Sequence, residues 1–200
     1  WKERTKKFGA ASIGYNCDEK LIYWDNVLRG HAISRLVTIK PGMKVLDAGT
    51  GTGYWAIKCA KKGSSVTGLD FSEELLHIAV AKARQADVEI TWRHTALEEA
   101  DLPANFFDIA LSVTCLQHIT ERERQVEAVR RILQSLKTGG VFVLVEDTVV
   151  GGDSRQERET FLFRLRGQQP HAGRHLVAYS ERHRFHRHSA ADDDRARQVT

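Results

Sequence analysis

Cysteine is scarce in this chain. Cys17, Cys59 and Cys115 are the only three in 200 residues, an odd number at wide spacings. No pair has the close spacing of a metal site and no disulfide framework can be read from them, so a reduced, cytoplasmic setting is expected. Long apolar runs are absent as well. Nothing approaches the length that crosses a bilayer, and Trp1–Lys7 is basic and polar with no apolar stretch behind it, so neither a membrane span nor a secretory leader is expected. Over most of the chain there is no clustering of one charge. The net charge is +4 and the isoelectric point near 9.0, yet Lys and Arg are interleaved with acids rather than gathered in a stripe. Nucleic acid is therefore not an expected partner. Nothing in the sequence fixes an oligomeric state.

What is present suits one ordinary domain: 200 residues, 42% hydrophobic and 28% charged, enough to bury a core without staples. From about residue 44 short apolar strands alternate with amphipathic helices. Lys44–Ala48 reads as a strand and Tyr54–Lys62 as a helix stopped by Gly63. Ser65–Leu69 reads as the next strand, followed by a helix capped by Ser72 with Glu73 and Glu74 in its first turn. Val88–Trp92 and Phe107–Val113 are further strands, the latter apolar enough to be buried on both faces. Thr120 and Glu123 form a capping box for a helix whose inner face is Val126, Val129, Leu133 and Leu136. Gly139-Gly140 stops that helix before a fifth strand, Val141–Glu146.

Such repetition predicts an α/β fold: a Rossmann-like, doubly wound, mostly parallel sheet with helices on both faces. Residues 1–40, rich in Tyr, Trp and apolar helix formers from residue 8 on, read as a leading helical segment or lid. Residues 41–150 read as the α/β core. Residues 151–200 are atypical: the basic residues there are all Arg, more than half of the nine histidines lie there, and runs such as Arg182–His188 and Asp192–Asp194 have no structural period. Within it Arg158–Leu165 fits a helix and His175–Ser180 a last strand. The rest is expected to be partly disordered, an exposed basic tail rather than a metal site, leaving the C-terminal part of the sheet incomplete.

The chemistry gathers where parallel strands end, which is where ligands bind in open sheets. Val45-Leu-Asp-Ala-Gly-Thr-Gly-Thr-Gly53 places glycines at every second position after a strand. That is how backbone is brought against a small charged cofactor. Asp70, at the end of the second strand, is placed to accept hydrogen bonds from the hydroxyls of a ribose. The spacing alone leaves the cofactor open. Gly51-Thr-Gly53-Tyr-Trp-Ala56 fits the dinucleotide pattern in a shifted register, and an acid about 20 residues further on suits NAD equally.

Context tilts the choice. The loop resembles the first motif of the class I S-adenosylmethionine-dependent methyltransferases. Four more family-like segments follow in order: Val66–Ser72, Leu102-Pro103 leading to Phe107–Ser112, Leu116-Gln-His-Ile119, and Leu136–Glu146. The resemblance covers about residues 36–147. It implies that Gly49, Gly51 and Gly53 line the methionine part of S-adenosyl-L-methionine. Asp47 would orient that loop or the cofactor's amino group, and Asp70 would hold the ribose with Phe71 packed beside the adenine. Ala96 and Leu97 would touch the adenine ring, and Val113 and Thr114 would lie under the cofactor. Many relatives place an acid after the third strand where this chain has Thr95, with Glu98 close enough to substitute.

His118 is the candidate catalytic base. Tyr15, Tyr23 and Trp24 are candidates for a lid, and Cys115 is read as a packing thiol. No metal is expected. The implied function is methyl transfer to oxygen, nitrogen or carbon of a small-molecule acceptor. The alternatives are an NAD-dependent oxidoreductase and a cofactor-binding protein without catalysis.

Overall fold

The computed structural model describes residues 2–9, 19–150, 157–166 and 176–179. Two helices lead, α1 (Lys2–Phe8) and α2 (Glu19–Leu36). The core then runs β1 (Lys44–Ala48), α3 (Tyr54–Ala60), β2 (Ser65–Asp70), α4 (Glu73–Gln85), β3 (Thr91–His94), β4 (Phe107–Val113), α5 (Arg122–Ser135) and β5 (Leu136–Val150). Strands β6 (Glu157–Arg166) and β7 (Leu176–Tyr179) follow.

All seven strands form one open sheet in the order β3-β2-β1-β4-β5-β6-β7. The first five are parallel, as the alternation of strand and helix requires, and the last two are added as an antiparallel meander on β5. The chain travels outward from β1 through β2 to β3, then returns to the far side of β1 with β4. The gap between β1 and β4 is thus the switch point of the sheet.

Alternation along the strands sorts the core into two layers. Val45, Ile109, Leu111, Val141, Val143 and Val145 face α2 and α3, packing on Ala32, Ile33, Trp55 and Cys59. Leu46, Ala48, Ala110 and Phe142 face the other way, onto Ala128 and Ile132 of α5 with Leu97 and Leu116. Helices therefore cover both faces.

Several boundaries differ from the sequence reading, each for a local reason. Strand β3 begins at Thr91 rather than Val88. The chain leaves α4 through a left-handed Asp87 (φ 53), and the Val88 amide turns back to Ala83, so those residues are spent on the turn. Helix α5 starts at Arg122 behind Glu121, which makes no side-chain cap, so the Thr120–Glu123 box does not form. The same helix stops at Ser135, well before the glycine pair. Leu136 already pairs with Phe107, and Gly139-Gly140 lies in an irregularity that shifts the β4–β5 register between Phe107 and Ile109. Gly139 has φ 79, and a Cβ on Gly140 would sit 2.9 Å from the Lys137 carbonyl, so the glycines make a bulge rather than a helix stop. Arg158–Leu165, expected as a helix, is the body of β6. Its Thr-Phe-Leu-Phe run suits a strand, and the long β5 offers it a partner along its whole length. The last strand falls at 176–179, inside the expected 175–180. The Arg182–His188 and Asp192–Asp194 runs, Cys17 and Tyr15 lie outside the described residues.

Candidate functional site

The β1–α3 loop is fixed by two buried acids. Asp47 turns inward, its Oδ2 accepting from the Thr50 hydroxyl at 2.6 Å and from the Ala56 amide at 2.9 Å. It thereby ties the end of β1 to the first turn of α3. Burial pushes its carboxyl up to about 6, opposed by those two hydrogen bonds. Asp70, at the end of β2, accepts the Gly51 amide on Oδ2 at 2.8 Å and the Ser72 amide on Oδ1 at 2.9 Å. Ser72 in turn caps α4 by accepting from Leu75, as its position before Glu73 predicts. Burial raises the Asp70 carboxyl too, and the backbone amides pull against it.

Gly49, Gly51 and Gly53 all have positive φ, at 75, 54 and 79 degrees, which favours glycine in the loop. Their surroundings differ. A Cβ on Gly49 would lie 2.1 Å from the Cys115 sulfur, and one on Gly53 would lie 3.0 Å from Ala79 and 3.1 Å from Trp92. The glycines thus also let protein pack on protein: β4's following loop on Gly49, and α4 with β3 on Gly53.

Above this loop, at the carboxyl ends of β1 and β4, opens a cavity of about 670 Å³. Gly49 to Thr52 and Asp70 form its floor, while Phe71, Ala96 and Leu97 form one wall. Phe71 is 55% exposed, an aromatic face left open beside the acid. Val113, Thr114 and Cys115 form the opposite wall, with Gln117 and His118 beyond them. Thr114 is β-branched with φ 51, a strained backbone held by its amide donating to the Val145 carbonyl at 2.7 Å. Asp47 and Gly53 stand behind the loop rather than on the cavity wall.

Thr95 and Glu98 both reach the cavity, but Glu98 is tied to Arg124 of α5. His118 lies on a short 3-10 turn, Leu116–His118, where its side chain is exposed at the rim. Cys115 is packed against Gly49, and burial among carboxylates holds its thiol well above the usual range, so it carries little thiolate.

The cavity's upper edge comes from α2, and here sequence reasoning missed the contributing residues. Ile22, Asp25, Asn26 and Arg29 line it. Tyr23 and Trp24, two of the candidates for a lid, are 58% and 61% exposed on the helix and do not line the cavity. Arg29 donates to Asp147 at the end of β5, at 2.5 Å, and lies 3.9 Å from Asp25. Helical spacing of Ile22, Asn26 and Arg29 was the available signal. Among the described residues no cluster of His, Cys, Asp and Glu could hold a metal ion, and no helix is long and apolar enough to cross a membrane.

The sequence profile of a family described as a methyltransferase domain matches residues 45–140. A ubiquinone biosynthesis O-methyltransferase of Ruegeria sp. (strain TM1040) is 28% identical over 72% of this chain and 57% of its own length. One from Alkalilimnicola ehrlichii is 32% identical over 58% of this chain and 46% of its own. The chain thus spans about half the length of these curated relatives. Among solved structures, phosphoethanolamine N-methyltransferase 2 of Haemonchus contortus, in complex with S-adenosyl-L-methionine, is 29% identical with a TM-score of 0.56. That match covers 65% of this chain and 30% of the other. The [4+2]-cyclase SpnF is 26% identical with a TM-score of 0.54, covering 62% and 47%.

Proposed function

We propose that this chain is a class I S-adenosylmethionine-dependent methyltransferase, moving a methyl group from that cofactor to oxygen, nitrogen or carbon of a small acceptor in the cytoplasm. The observation that carries the reading is the pairing of the glycine loop with Asp70. Asp70 Oδ2 takes the Gly51 amide and Oδ1 the Ser72 amide, and a carboxylate oxygen has capacity for a further donor. A carboxylate poised in this way beside the open face of Phe71 suits a ribose carrying an adenine. The cavity volume falls in the range of small-molecule sites.

In this reading Asp70 holds the ribose and Phe71 stacks on the adenine, with Ala96 and Leu97 closing over its edge. Gly49 and Gly51 bring the loop close to the methionine part, and Asp47 and Gly53 keep the loop in shape from behind. Val113 and Thr114 form the wall opposite Phe71. The cofactor supplies an activated methyl group on a sulfonium. The chain's task is then mainly alignment, which can supply on the order of 7–11 kcal/mol. His118 takes the acceptor's proton where one must leave. Arg29, Asn26 and Gln117 are placed on the acceptor side. The names of the curated relatives favour oxygen as the receiving atom and support a small acceptor rather than nucleic acid.

Calorimetric titration with S-adenosylhomocysteine, set against NADH fluorescence, tests the reading. Binding of the first and not the second is expected; absence of S-adenosylhomocysteine binding removes it. A cofactor-binding role without methyl transfer has one specific support, the likeness to a protein named a [4+2]-cyclase. Binding of S-adenosylhomocysteine with no labelled methyl transferred in a broad acceptor screen would favour it.

A further inference from the structure

Two acids in succession, Glu146 and Asp147, end the described side chains of β5, and a strand sends successive side chains to opposite faces. Asp147 lines the cavity, whereas Glu146 does not and meets the loop after β4 instead. Glu146 accepts the Leu116 amide on Oε1 at 2.9 Å and the Gln117 amide on Oε2 at 3.4 Å, gripping the loop after β4 from beneath. Asp147 takes the Arg29 guanidinium of α2 on its carboxylate, and its own amide donates to the Gln117 side-chain oxygen at 3.0 Å. The loop held by Glu146 carries Thr114, Cys115, Gln117 and His118 of the cavity, and α2 carries Asn26 and Arg29.

We propose that Glu146 and Asp147 form a two-sided latch: Glu146 is a positioning residue that holds the post-β4 loop in its binding shape, and Asp147 fastens α2 to the same strand end. The part of this that concerns cofactor affinity rests on the methyltransferase reading.

The latch has a definite pH sense. A charged Glu146 accepts one amide on each oxygen, whereas protonation puts an O–H on one of them and makes it a weaker acceptor. Burial pushes this carboxyl up to about 7, the loop amides pull it down, and neighbouring Asp147 pushes it up further. The ionisable groups that act with it are Asp147 beside it on β5 and Cys115 of the loop. Cys115 also feels Asp47, Asp70 and Glu98. As pH falls through about 7 the proton arrives and the grip on the loop weakens.

Amide hydrogen exchange on the full wild-type chain without ligand tests the latch directly. After correction for intrinsic rates, Leu116 and Gln117 should be several-fold better protected at pH 8 than at pH 6, while amides inside β4 change little. Equal protection of those two amides at both pH values overturns the proposal. Titration with S-adenosylhomocysteine adds a second readout. Wild-type affinity should fall several-fold from pH 8 to pH 6. Glu146→Gln should bind about tenfold more weakly at pH 8, and the fall between pH 8 and pH 6 should shrink. A Glu146→Gln chain that keeps both wild-type affinity and wild-type slope overturns it. Should the wild type bind no S-adenosylhomocysteine at any pH, the proposed function fails, while the exchange measurement still decides the latch.

Discussion

Asp70 Oδ2 accepts the backbone amide of Gly51 at 2.8 Å, so the acid ending β2 also fastens the loop that follows β1. One carboxylate thereby fixes the two parts of the cavity floor to each other. Removing it should cost twice, once in ligand contact and once in loop order.

For Asp70→Ala we expect S-adenosylhomocysteine affinity to fall by about two orders of magnitude. Two lost hydrogen bonds to a charged group are worth about 3 kcal/mol together. Calorimetry measures this directly, and unchanged affinity would remove the ribose assignment.

Gly49→Ala should destabilise the fold by about 2 kcal/mol or more, since the new Cβ meets the Cys115 sulfur and the residue sits at φ 75. Adding Cys115→Gly should return part of that loss, because Cys115 Cβ and Sγ are both in the way, while the φ strain stays. A denaturant double-mutant cycle measures the coupling. Strict additivity would mean that the two sites do not press on each other.

Asp47 sets a pH signature on stability. Its folded carboxyl is raised from 3.8 to about 6, so between those values the native state holds more protons than the unfolded one. Stability from this group therefore falls as pH rises through that window, by about 3 kcal/mol in all. Asp47→Asn removes the contribution, so its stability relative to wild type should improve between pH 4 and pH 7. Urea midpoints at both ends of the range check it, and a constant difference between the two proteins would refute it.

His118→Ala should leave S-adenosylhomocysteine affinity within about twofold, because the side chain sits at the rim. If an acceptor hydroxyl loses its proton in the slow step, turnover should drop by about 10²-fold or more and the imidazole limb of the pH–rate profile should vanish. A variant with full turnover and an unaltered profile would make His118 part of the wall only.

The parallel core was legible in the sequence because its signals are local. Lys44–Ala48 and Phe107–Val113 carry their strand character in consecutive residues, and Ser72 caps α4 as its place predicts. What escaped was decided by partners distant in sequence. Gly139-Gly140 reads as a stop until β4 claims Leu136 ahead of it. The 158–165 run reads as a helix until β5 offers an edge. Arg29 looks like any helical surface charge until Asp147 arrives from across the fold. Aromatic side chains drew attention to Tyr23 and Trp24, whereas the cavity face of α2 is mostly polar.

The switch point between β1 and β4 makes the cavity a seam. Its floor belongs to the first half of the core, its far wall to the second, and they meet where Gly49 touches Cys115. Neither half owns a complete site, so a ligand there rewards only the assembled sheet. At about 100 times its dissociation constant a bound cofactor would add about 2.7 kcal/mol to the cohesion of the fold. Occupancy and structural integrity would rise and fall together.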